Sequence, residues 1–160
     1  MAAEPDRDPL DALDARLLLL LIDEDRLSVL ECARRLGVAR GTVQARLDKL
    51  FGRGVIDGFP PAVSLAAIGY ELTAFAVVEI SQGRRTGVIE GLAAINEVCE
   101  AHATTGGGDL FVRLAARSNT DLQRVIDEVV KVPGVERVSS SIALSTPIPP
   151  RFRPLLERLL

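Results

Sequence analysis

Apolar residues recur at intervals of three and four in the first third of the chain, and this spacing predicts three helices within residues 13–51. In the first helix, the spacing forms one stripe of Leu13, Leu17, Leu20 and Leu21. The acidic side chains of Asp11 and Asp14 lie at its expected start, where they complement the positive end of the helix dipole.

The second and third predicted helices are joined by a short turn that contains a glycine. Ser28 followed by Glu31 is a capping-box pattern that opens the second helix, and Gly37 is placed to end it. The third helix is predicted from about Arg40 to Phe51. The expected buried sides are Leu30, Ala33 and Leu36 in the second helix and Val43, Leu47 and Leu50 in the third. Two helices joined in this way form a helix-turn-helix, whose second helix can enter the major groove of DNA.

Residues 53–59 predict a turn followed by a short strand, which would pack beside the helices as a small wing. Pro60 and Pro61 favour extended backbone. We therefore interpret residues 10–59 as one domain and residues 60–70 as a linker.

From Tyr70 the pattern changes to strands alternating with helices. Strands are predicted at residues 72–80, 98–104, 109–116 and 135–144. One helix is predicted from Thr86 to about Ile95, and another opens with a capping-box pattern at Thr120 to Gln123. The two helices are expected to bury Val88, Ile89, Leu92 and Ile95, and Leu122, Val125, Ile126, Val129 and Val130.

The order β-α-β-β-α-β predicts a ferredoxin-like domain at residues 71–146, with one antiparallel sheet and both helices on one face. The fold class is thus α+β, a winged helix-turn-helix followed by this domain. The opposite sheet face would expose aliphatic residues in a monomer, so at least a homodimer is expected. Residues 147–160 form a proline-rich tail with a short helix, which is expected to pack on its own or a neighbouring subunit.

The net charge of −3 argues against a wholly basic nucleic-acid-binding protein, but the charge is unevenly distributed. Residues 34–53 contain six basic residues and one acidic residue, Asp48, which gives a local charge of +5. These basic residues concentrate on the second helix of the predicted helix-turn-helix. Their position favours DNA binding, because neutralising phosphates supplies affinity while side chains near the helix start contact bases.

Residues for other chemistries are few. Cys32 and Cys99 stand far apart and His102 is the single histidine, so we expect no metal site and no catalytic nucleophile–base pair. The protein is therefore expected not to be an enzyme and to need no cofactor. The apolar run at residues 17–22 is too short to cross a bilayer and residues 1–9 contain no secretion signal, so the expected location is the cytoplasm, without membrane binding.

Four stretches together carry a family resemblance: Leu13-Asp14-Ala15-Arg16-Leu17-Leu18, residues 28–50, Gly54-Val55-Ile56-Asp57-Gly58-Phe59, and Thr105-Gly106-Gly107-Gly108-Asp109-Leu110. In this order and on these elements, they resemble the Lrp/AsnC (feast/famine) transcriptional regulators over nearly the whole chain. Pro133-Gly134-Val135 before the last strand is also similar. Ala39, where the family usually has Ser, and Leu110, where an aromatic residue is common, depart from the pattern.

The resemblance implies a winged helix, a ferredoxin-like domain called RAM (regulation of amino acid metabolism), and dimers that often assemble into octamers. It also implies a small effector, usually an amino acid, bound near the glycine-aspartate turn. We therefore expect a sequence-specific DNA-binding transcriptional regulator that is modulated by such an effector.

The expected DNA contacts are made by Ser28, Arg40, Thr42, Gln44, Arg46 and Lys49. Arg40, Thr42 and Gln44 would contact base edges or nearby phosphates, since Arg and Gln can form paired hydrogen bonds with guanine or adenine. Arg46 and Lys49 would bind phosphate. The alternative for Arg46 is an ion pair with Glu31 or Asp48.

The expected effector contacts are made by Thr104, Gly106, Gly107, Gly108, Asp109 and Leu110. The glycines would let backbone amides approach a ligand closely, and Asp109 would accept from an ammonium group. The alternative is a tight hairpin in which Asp109 caps its own backbone.

A different function also fits the sequence. The protein would then be a small-molecule sensor or oligomeric partner with a degenerate helix-turn-helix. This alternative is supported by Ala39, which lacks a capping hydroxyl, and by Gly41 in the first turn of the third helix.

Overall fold

The computed structural model describes residues 9–24, 26–59 and 62–160. It contains two compact units. A helical unit combines the residues up to 61 with residues 148–160, and a sheet unit comprises residues 62–147. The extended backbone predicted at Pro60 and Pro61 lies outside the described residues, as do residues 1–8. Within the described ranges, no helix is long and apolar enough to span a membrane.

In its described residues, the helical unit contains α1 (Ala12–Asp23), α2 (Val29–Leu36), α3 (Arg40–Gly52) and α6 (Arg153–Glu157). The three helices predicted within residues 13–51 are therefore confirmed. Between α2 and α3, Gly37 adopts a φ of 68°, a left-handed conformation that glycine reaches without steric cost. The short α6 contacts α1, so the tail packs on its own chain.

The three N-terminal helices differ in how their first turns are capped. Asp11 and Asp14 form a reciprocal capping box at the start of α1. At α2, the Ser28 hydroxyl accepts a hydrogen bond from the Glu31 amide at 3.2 Å. The Glu31 carboxylate does not complete a box, because it accepts hydrogen bonds from two arginines of the same helix instead. At α3, Ala39 provides no side-chain cap.

The core of the helical unit is aliphatic and consists of Leu17, Leu18, Cys32, Ala33, Val43, Leu50 and Ile56. From the tail, Leu156 packs against it. The prediction that Leu30 is buried was wrong, since 67% of this residue is exposed. The helical spacing of Val29, Cys32 and Leu36 carries the buried stripe, and Leu30 lies beside it.

The strand predicted in residues 53–59 does not form. The backbone amides of Val55 and Ile56 instead donate to the Leu50 carbonyl at 2.9 and 3.3 Å. The chain therefore turns back onto the end of α3, and Ile56 enters the core without joining a sheet.

The sheet unit contains β1 (Leu72–Ile80), α4 (Arg85–Ala93), β2 (Val98–Ala103), β3 (Leu110–Ala116), α5 (Asn119–Lys131) and β4 (Val135–Ile142). A short 3-10 helix at Ala66–Ile68 precedes β1. The strand order is β2-β3-β1-β4, and all three strand pairs are antiparallel. The α+β fold class and the ferredoxin-like order of elements are confirmed.

One face of the sheet packs against α4 and α5. Alternate residues of β1 and β3 supply this core together with the helix residues Val88, Leu92, Leu122, Val125 and Val129. The predictions for Ile89 and Val130 were wrong, because these residues are 46% and 52% exposed. The cap of α5 also differs from the prediction: Ser118, not Thr120, accepts from the Asp121 amide, at 3.1 Å.

The other face of the sheet carries an aromatic pair. The rings of Phe75 and Phe111 stack with centroids 5.4 Å apart and an interplanar angle of 10°. Beside this pair, Glu100 contacts His102 at 2.7 Å and Arg113 at 3.1 Å. On β4, Ser139 and Ser141 lie opposite Val77 and Phe75. The expected aliphatic residues are represented by Val77, and its neighbours on this face are aromatic and polar.

Candidate functional sites

Helix α3 presents a polar face opposite the residues that it buries. Val43 and Leu50 are buried and Leu47 is half-buried, whereas Arg40, Thr42, Gln44 and Lys49 are exposed. The predicted base-contacting residues therefore lie on the first turns of α3, on its solvent side. The Gln44 amide nitrogen donates a hydrogen bond to the Asp48 carboxylate at 2.9 Å.

Arg46 connects α3 to the start of α1. Its guanidinium forms an ion pair with Asp11 and another, at 3.0 Å, with Asp14, which is buried. Hydrogen bonds from the Asp14 amide and from Arg46 hold the pKa of Asp11 below its usual range. The predicted alternative, an ion pair of Arg46 with Glu31 or Asp48, was therefore wrong in its partners. Sequence reasoning had treated both aspartates only as complements of the helix dipole, and their capping box was the signal that they stand together.

A second charged cluster lies on α2. Glu31 accepts from Arg34 and Arg35, and Arg35 also reaches Glu24 at 2.6 Å. Hydrogen bonds from the two arginines, Arg34 first, lower the pKa of Glu31 to about 2. The Ser28 hydroxyl is occupied by helix capping, and its predicted DNA contact stays a prediction.

The glycine-rich turn between β2 and β3 is fastened to the end of β1. The Asp109 amide donates to the Val78 carbonyl at 2.9 Å, and the Asp109 carboxylate accepts from the Ile80 amide at 2.7 Å. The Thr104 hydroxyl donates to the Gly108 carbonyl at 2.9 Å. Asp109 thus caps backbone, as the alternative prediction had it, but the amide that it caps belongs to β1 and not to its own turn.

The three glycines of this turn have different structural roles. Gly106 has a φ of 125°, which side-chain-bearing residues rarely adopt. A Cβ on Gly108 would lie 2.2 Å from a methyl group of Val77, so a close approach of the backbone to β1 requires glycine there. A Cβ on Gly107 would meet nothing within 4 Å.

A cleft of about 530 Å³ opens beside this turn and is lined by Glu79, Ile80, Thr104, Gly106, Gly107, Gly108, Asp109 and Glu136. Five of the six predicted effector residues are thereby brought together. Leu110 is the exception, because it is buried in the core between the sheet and its helices.

Three carboxylates give this cleft an acidic lining, those of Glu79, Asp109 and Glu136. Arg85 lies 4.0 Å from Asp109, and Arg137 lies 3.9 Å from Glu79. Sequence reasoning missed both glutamates. They come together only because the end of β1 pairs with the start of β4, a consequence of strand order that local patterns do not contain.

The helical unit contains a separate, apolar cavity of about 530 Å³. It lies between α1, the segment after α3 and the tail, and Leu21, Val55, Phe59, Phe152 and Leu155 are among its lining residues. In the part of the chain that the structure describes, no three His, Cys, Asp or Glu side chains are grouped so as to hold a metal ion.

Two family models match this chain. The AsnC-type helix-turn-helix domain matches residues 10–50, and the Lrp/AsnC ligand binding domain matches residues 73–151. An HTH-type transcriptional regulator of Pyrococcus furiosus is 38% identical over 136 residues, which are 84% of this chain and 91% of that protein. The chain belongs to the Lrp/AsnC family of transcriptional regulators. Family membership confirms the expectation of a DNA-binding regulator with a ligand-binding domain, and not an enzyme.

Solved structures of Lrp/AsnC regulators share the fold of this chain. The AsnC protein of E. coli superposes with a TM-score of 0.84 at 28% identity, covering 91% of this chain and 99% of AsnC. The feast or famine regulatory protein of M. tuberculosis, complexed with L-methionine, has a TM-score of 0.81 at 26% identity and covers 90% of this chain and 98% of that protein.

Proposed function

We propose that this Lrp/AsnC regulator recognises specific duplex DNA sequences with α3 and that an amino acid in the acidic cleft modulates its activity. The observation that carries the proposal is the exposed polar face of α3, on which Arg40, Thr42 and Gln44 occupy the first two turns. In a helix-turn-helix, these positions of the second helix meet base edges.

Charge supports the DNA-binding part of the proposal. Arg40 and Lys49, both exposed on α3, would neutralise phosphates on either side of the groove, whereas Arg34 and Arg35 are paired with carboxylates. Arg46 uses one nitrogen, Nη1, for both Asp11 and Asp14. Its remaining donors would bind a phosphate while the ion pairs hold α3 against α1. Ser28, at the start of α2, would contact the backbone at the edge of the site.

The cleft supports the effector part of the proposal. The carboxylate of Asp109 and those of its two acidic neighbours would attract the ammonium group of an amino acid, while amides of the glycine turn would face its carboxylate. A relative of similar fold is complexed with L-methionine, an amino acid that carries both groups. Thr104 would accept from the ligand with its hydroxyl oxygen, because the hydroxyl hydrogen is donated to the Gly108 carbonyl. Leu110 does not line the cleft and would support it from the core.

The aromatic sheet face supports a homodimer. The stacked pair of Phe75 and Phe111, with 39% of Phe111 exposed, would be covered when two sheet faces meet. Assembly of dimers into an octamer is the further expectation from the family resemblance. Residues 60–70 would link the DNA-binding and RAM domains.

The alternative function, a sensor with a degenerate helix-turn-helix, loses its main structural support. Although Ala39 gives α3 no side-chain cap, α3 forms over 13 residues and keeps its polar face exposed. An intact second helix is what a working DNA reader requires.

Selection from a random pool of DNA duplexes tests the DNA-binding function directly. We expect the full chain to enrich a defined sequence, and Arg40→Ala to weaken its binding roughly tenfold or more without changing assembly. Arg137→Ala is the matched control, because Arg137 is an exposed arginine of the sheet unit. Absence of any enriched sequence would contradict the proposal and favour the sensor.

Thermal unfolding in the presence of each of the twenty amino acids tests the effector site, because a ligand that binds only the folded protein raises its stability. We expect Asp109→Asn to lose the shift given by the best ligand. The asparagine oxygen still accepts from the Ile80 amide, so this variant removes the charge and spares the strand cap. An undiminished shift in Asp109→Asn would refute the role of Asp109.

A further inference from the structure

Two exposed side chains of α3 are joined to each other. Gln44 donates a hydrogen bond from Nε2 to Oδ1 of Asp48 at 2.9 Å, one helical turn further on. Arg40, Gln44 and Asp48 follow one another at intervals of four residues, so they lie along one stripe of the helix. The bond therefore connects a residue proposed to contact bases with a neighbour for which no DNA contact is expected.

The chemistry of aspartate determines how this bond orients Gln44. An ionised carboxylate only accepts hydrogen bonds, so the amide group must direct Nε2, and not Oε1, towards Asp48. This leaves Oε1 and the second Nε2 hydrogen for another partner. Adenine in the major groove presents the complementary pair, an N–H donor and a ring-nitrogen acceptor.

The position of Asp48 is electrostatically unfavourable for simple DNA affinity. It is the one acidic residue in residues 34–53, a stretch with a net charge of +5. A carboxylate close to the phosphates repels them and weakens binding to every DNA sequence alike. A role in sequence discrimination offsets this loss, because discrimination depends on the difference between specific and non-specific binding.

We propose that Asp48 is a positioning residue for base recognition, which fixes the amide of Gln44 in the orientation that discriminates between base pairs. The inference rests on the proposed DNA-binding function and on the role of Gln44 within it. Fixing a flexible side chain before binding removes an entropy cost of roughly 0.5–1.5 kcal/mol, equivalent to about two- to tenfold in affinity for the preferred sequence.

The same bond occurs elsewhere in the chain. On α5, Gln123 donates to Asp127 at 2.9 Å with the same four-residue spacing. Such pairs stabilise a helix slightly wherever they lie. The α5 pair belongs to the sheet unit, so it provides an internal control for the purely structural effect of the bond.

The experiment compares full-length variants on two duplexes: the sequence that the wild-type protein enriches from a random pool, and a scrambled duplex of the same composition. The readout is the ratio of the two affinities. A change in helix stability affects binding to both duplexes and leaves this ratio unmoved. Circular dichroism establishes that each variant is folded.

We expect Asp48→Ala to lower the ratio about two- to tenfold while binding to the scrambled duplex becomes tighter. Asp48→Asn removes the charge and offers a donor as well as an acceptor, so it no longer dictates which end of the Gln44 amide faces it; it should bind both duplexes more tightly and lower the ratio, though by less than Asp48→Ala. Gln44→Ala should lower the ratio, and adding Asp48→Ala to it should lower the ratio no further, because the two residues act together. Asp127→Ala should leave both affinities unchanged.

Different outcomes overturn different claims. If Gln44→Ala lowers the ratio but Asp48→Ala does not, the positioning role of Asp48 is refuted and the DNA-binding function stands. If Gln44→Ala leaves the ratio at its wild-type value, both the base contact of Gln44 and the role of Asp48 are refuted. If the wild-type protein enriches no sequence, the proposed function itself fails.

Discussion

The carboxylate of Asp109 serves the fold and the proposed effector site at once. One oxygen accepts from the Ile80 amide at the end of β1, and the other lies 4.0 Å from Arg85. The same side chain lines the acidic cleft. A ligand that binds there therefore meets a group whose position is fixed by the sheet, which reduces the ordering cost of binding.

Replacing Gly108 by alanine should destabilise the sheet unit by about 1–3 kcal/mol, since the added Cβ would overlap a methyl group of Val77 in a packed region. Gly107→Ala is the matched control on the adjacent residue, where a Cβ meets nothing. Urea unfolding of both variants measures the difference. Equal stability of the two variants would show that the turn shifts away from β1 at little cost.

Replacing Glu31 by glutamine should destabilise the helical unit at neutral pH and have less effect in acid. The pKa of Glu31 is about 2 in the folded protein and has its ordinary value near 4.3 in the unfolded chain. Its stabilising contribution is therefore complete above about pH 4.3 and is lost as the pH falls towards 2. The measurement is urea unfolding of the helical unit, followed by circular dichroism, for the wild-type protein and Glu31→Gln at pH 6 and pH 2.5.

The difference in the free energy of unfolding between the wild-type protein and Glu31→Gln should be smaller at pH 2.5 than at pH 6. It should also be smaller in 1 M salt, because the ion pairs are exposed to solvent. A difference that stays constant between pH 6 and pH 2.5 would contradict the assignment.

Among the three N-terminal helices, α3 combines the most important proposed role with a start that has no side-chain cap. Its N-cap residue, Ala39, has the extended backbone of a capping position but no side chain that can accept a hydrogen bond. Helix α2 has Ser28 at the equivalent position, and its hydroxyl accepts from the Glu31 amide. The first turn of α3 therefore lacks the side-chain acceptor that α2 has.

Ala39→Ser should stabilise the helical unit by about 1 kcal/mol, because it supplies the missing acceptor for an amide of the first turn. Ala45→Ser, the same change at an exposed position inside α3, should instead cost about 0.5 kcal/mol through lower helix propensity. Thermal unfolding distinguishes the two variants. A loss of stability in Ala39→Ser would show that a serine at residue 39 cannot cap α3.

Element by element, periodicity predicted the helices and strands well, because burial on one side imposes spacing on the sequence. It failed where tertiary contacts decide. Leu30, Ile89 and Val130 fit a helical stripe but lie at its margin and are exposed. The strand predicted after Gly54 does not form, because the amides of Val55 and Ile56 donate to the Leu50 carbonyl instead. The exposure of Arg40, Thr42 and Gln44 followed from spacing within α3, and their base contacts stay a prediction. Glu79 and Glu136 could not be foreseen, because strand pairing brings them into the cleft.

At the scale of the whole molecule, the stacked Phe75–Phe111 pair marks the face on which two subunits are expected to meet. Phe111→Glu should reduce the mass measured by analytical ultracentrifugation towards that of a monomer, because it removes the stacked aromatic pair and places a charge where the partner's sheet face would cover it. Ile89→Glu changes a comparably exposed residue on α4 and should leave the mass unchanged. Dissociation by Ile89→Glu alone would place the interface on the helical layer instead.

The tail belongs to the helical unit although residues 62–147 separate the two parts in the sequence. During synthesis the ribosome therefore releases α1, α2 and α3 first, then a complete sheet unit, and only at the end Leu156, which packs against the first helices. Nascent chains stalled before residue 148 should thus contain a folded sheet unit beside a helical unit that still lacks its last partner. The helical unit, which is proposed to bind DNA, would therefore complete its folding after the sheet unit.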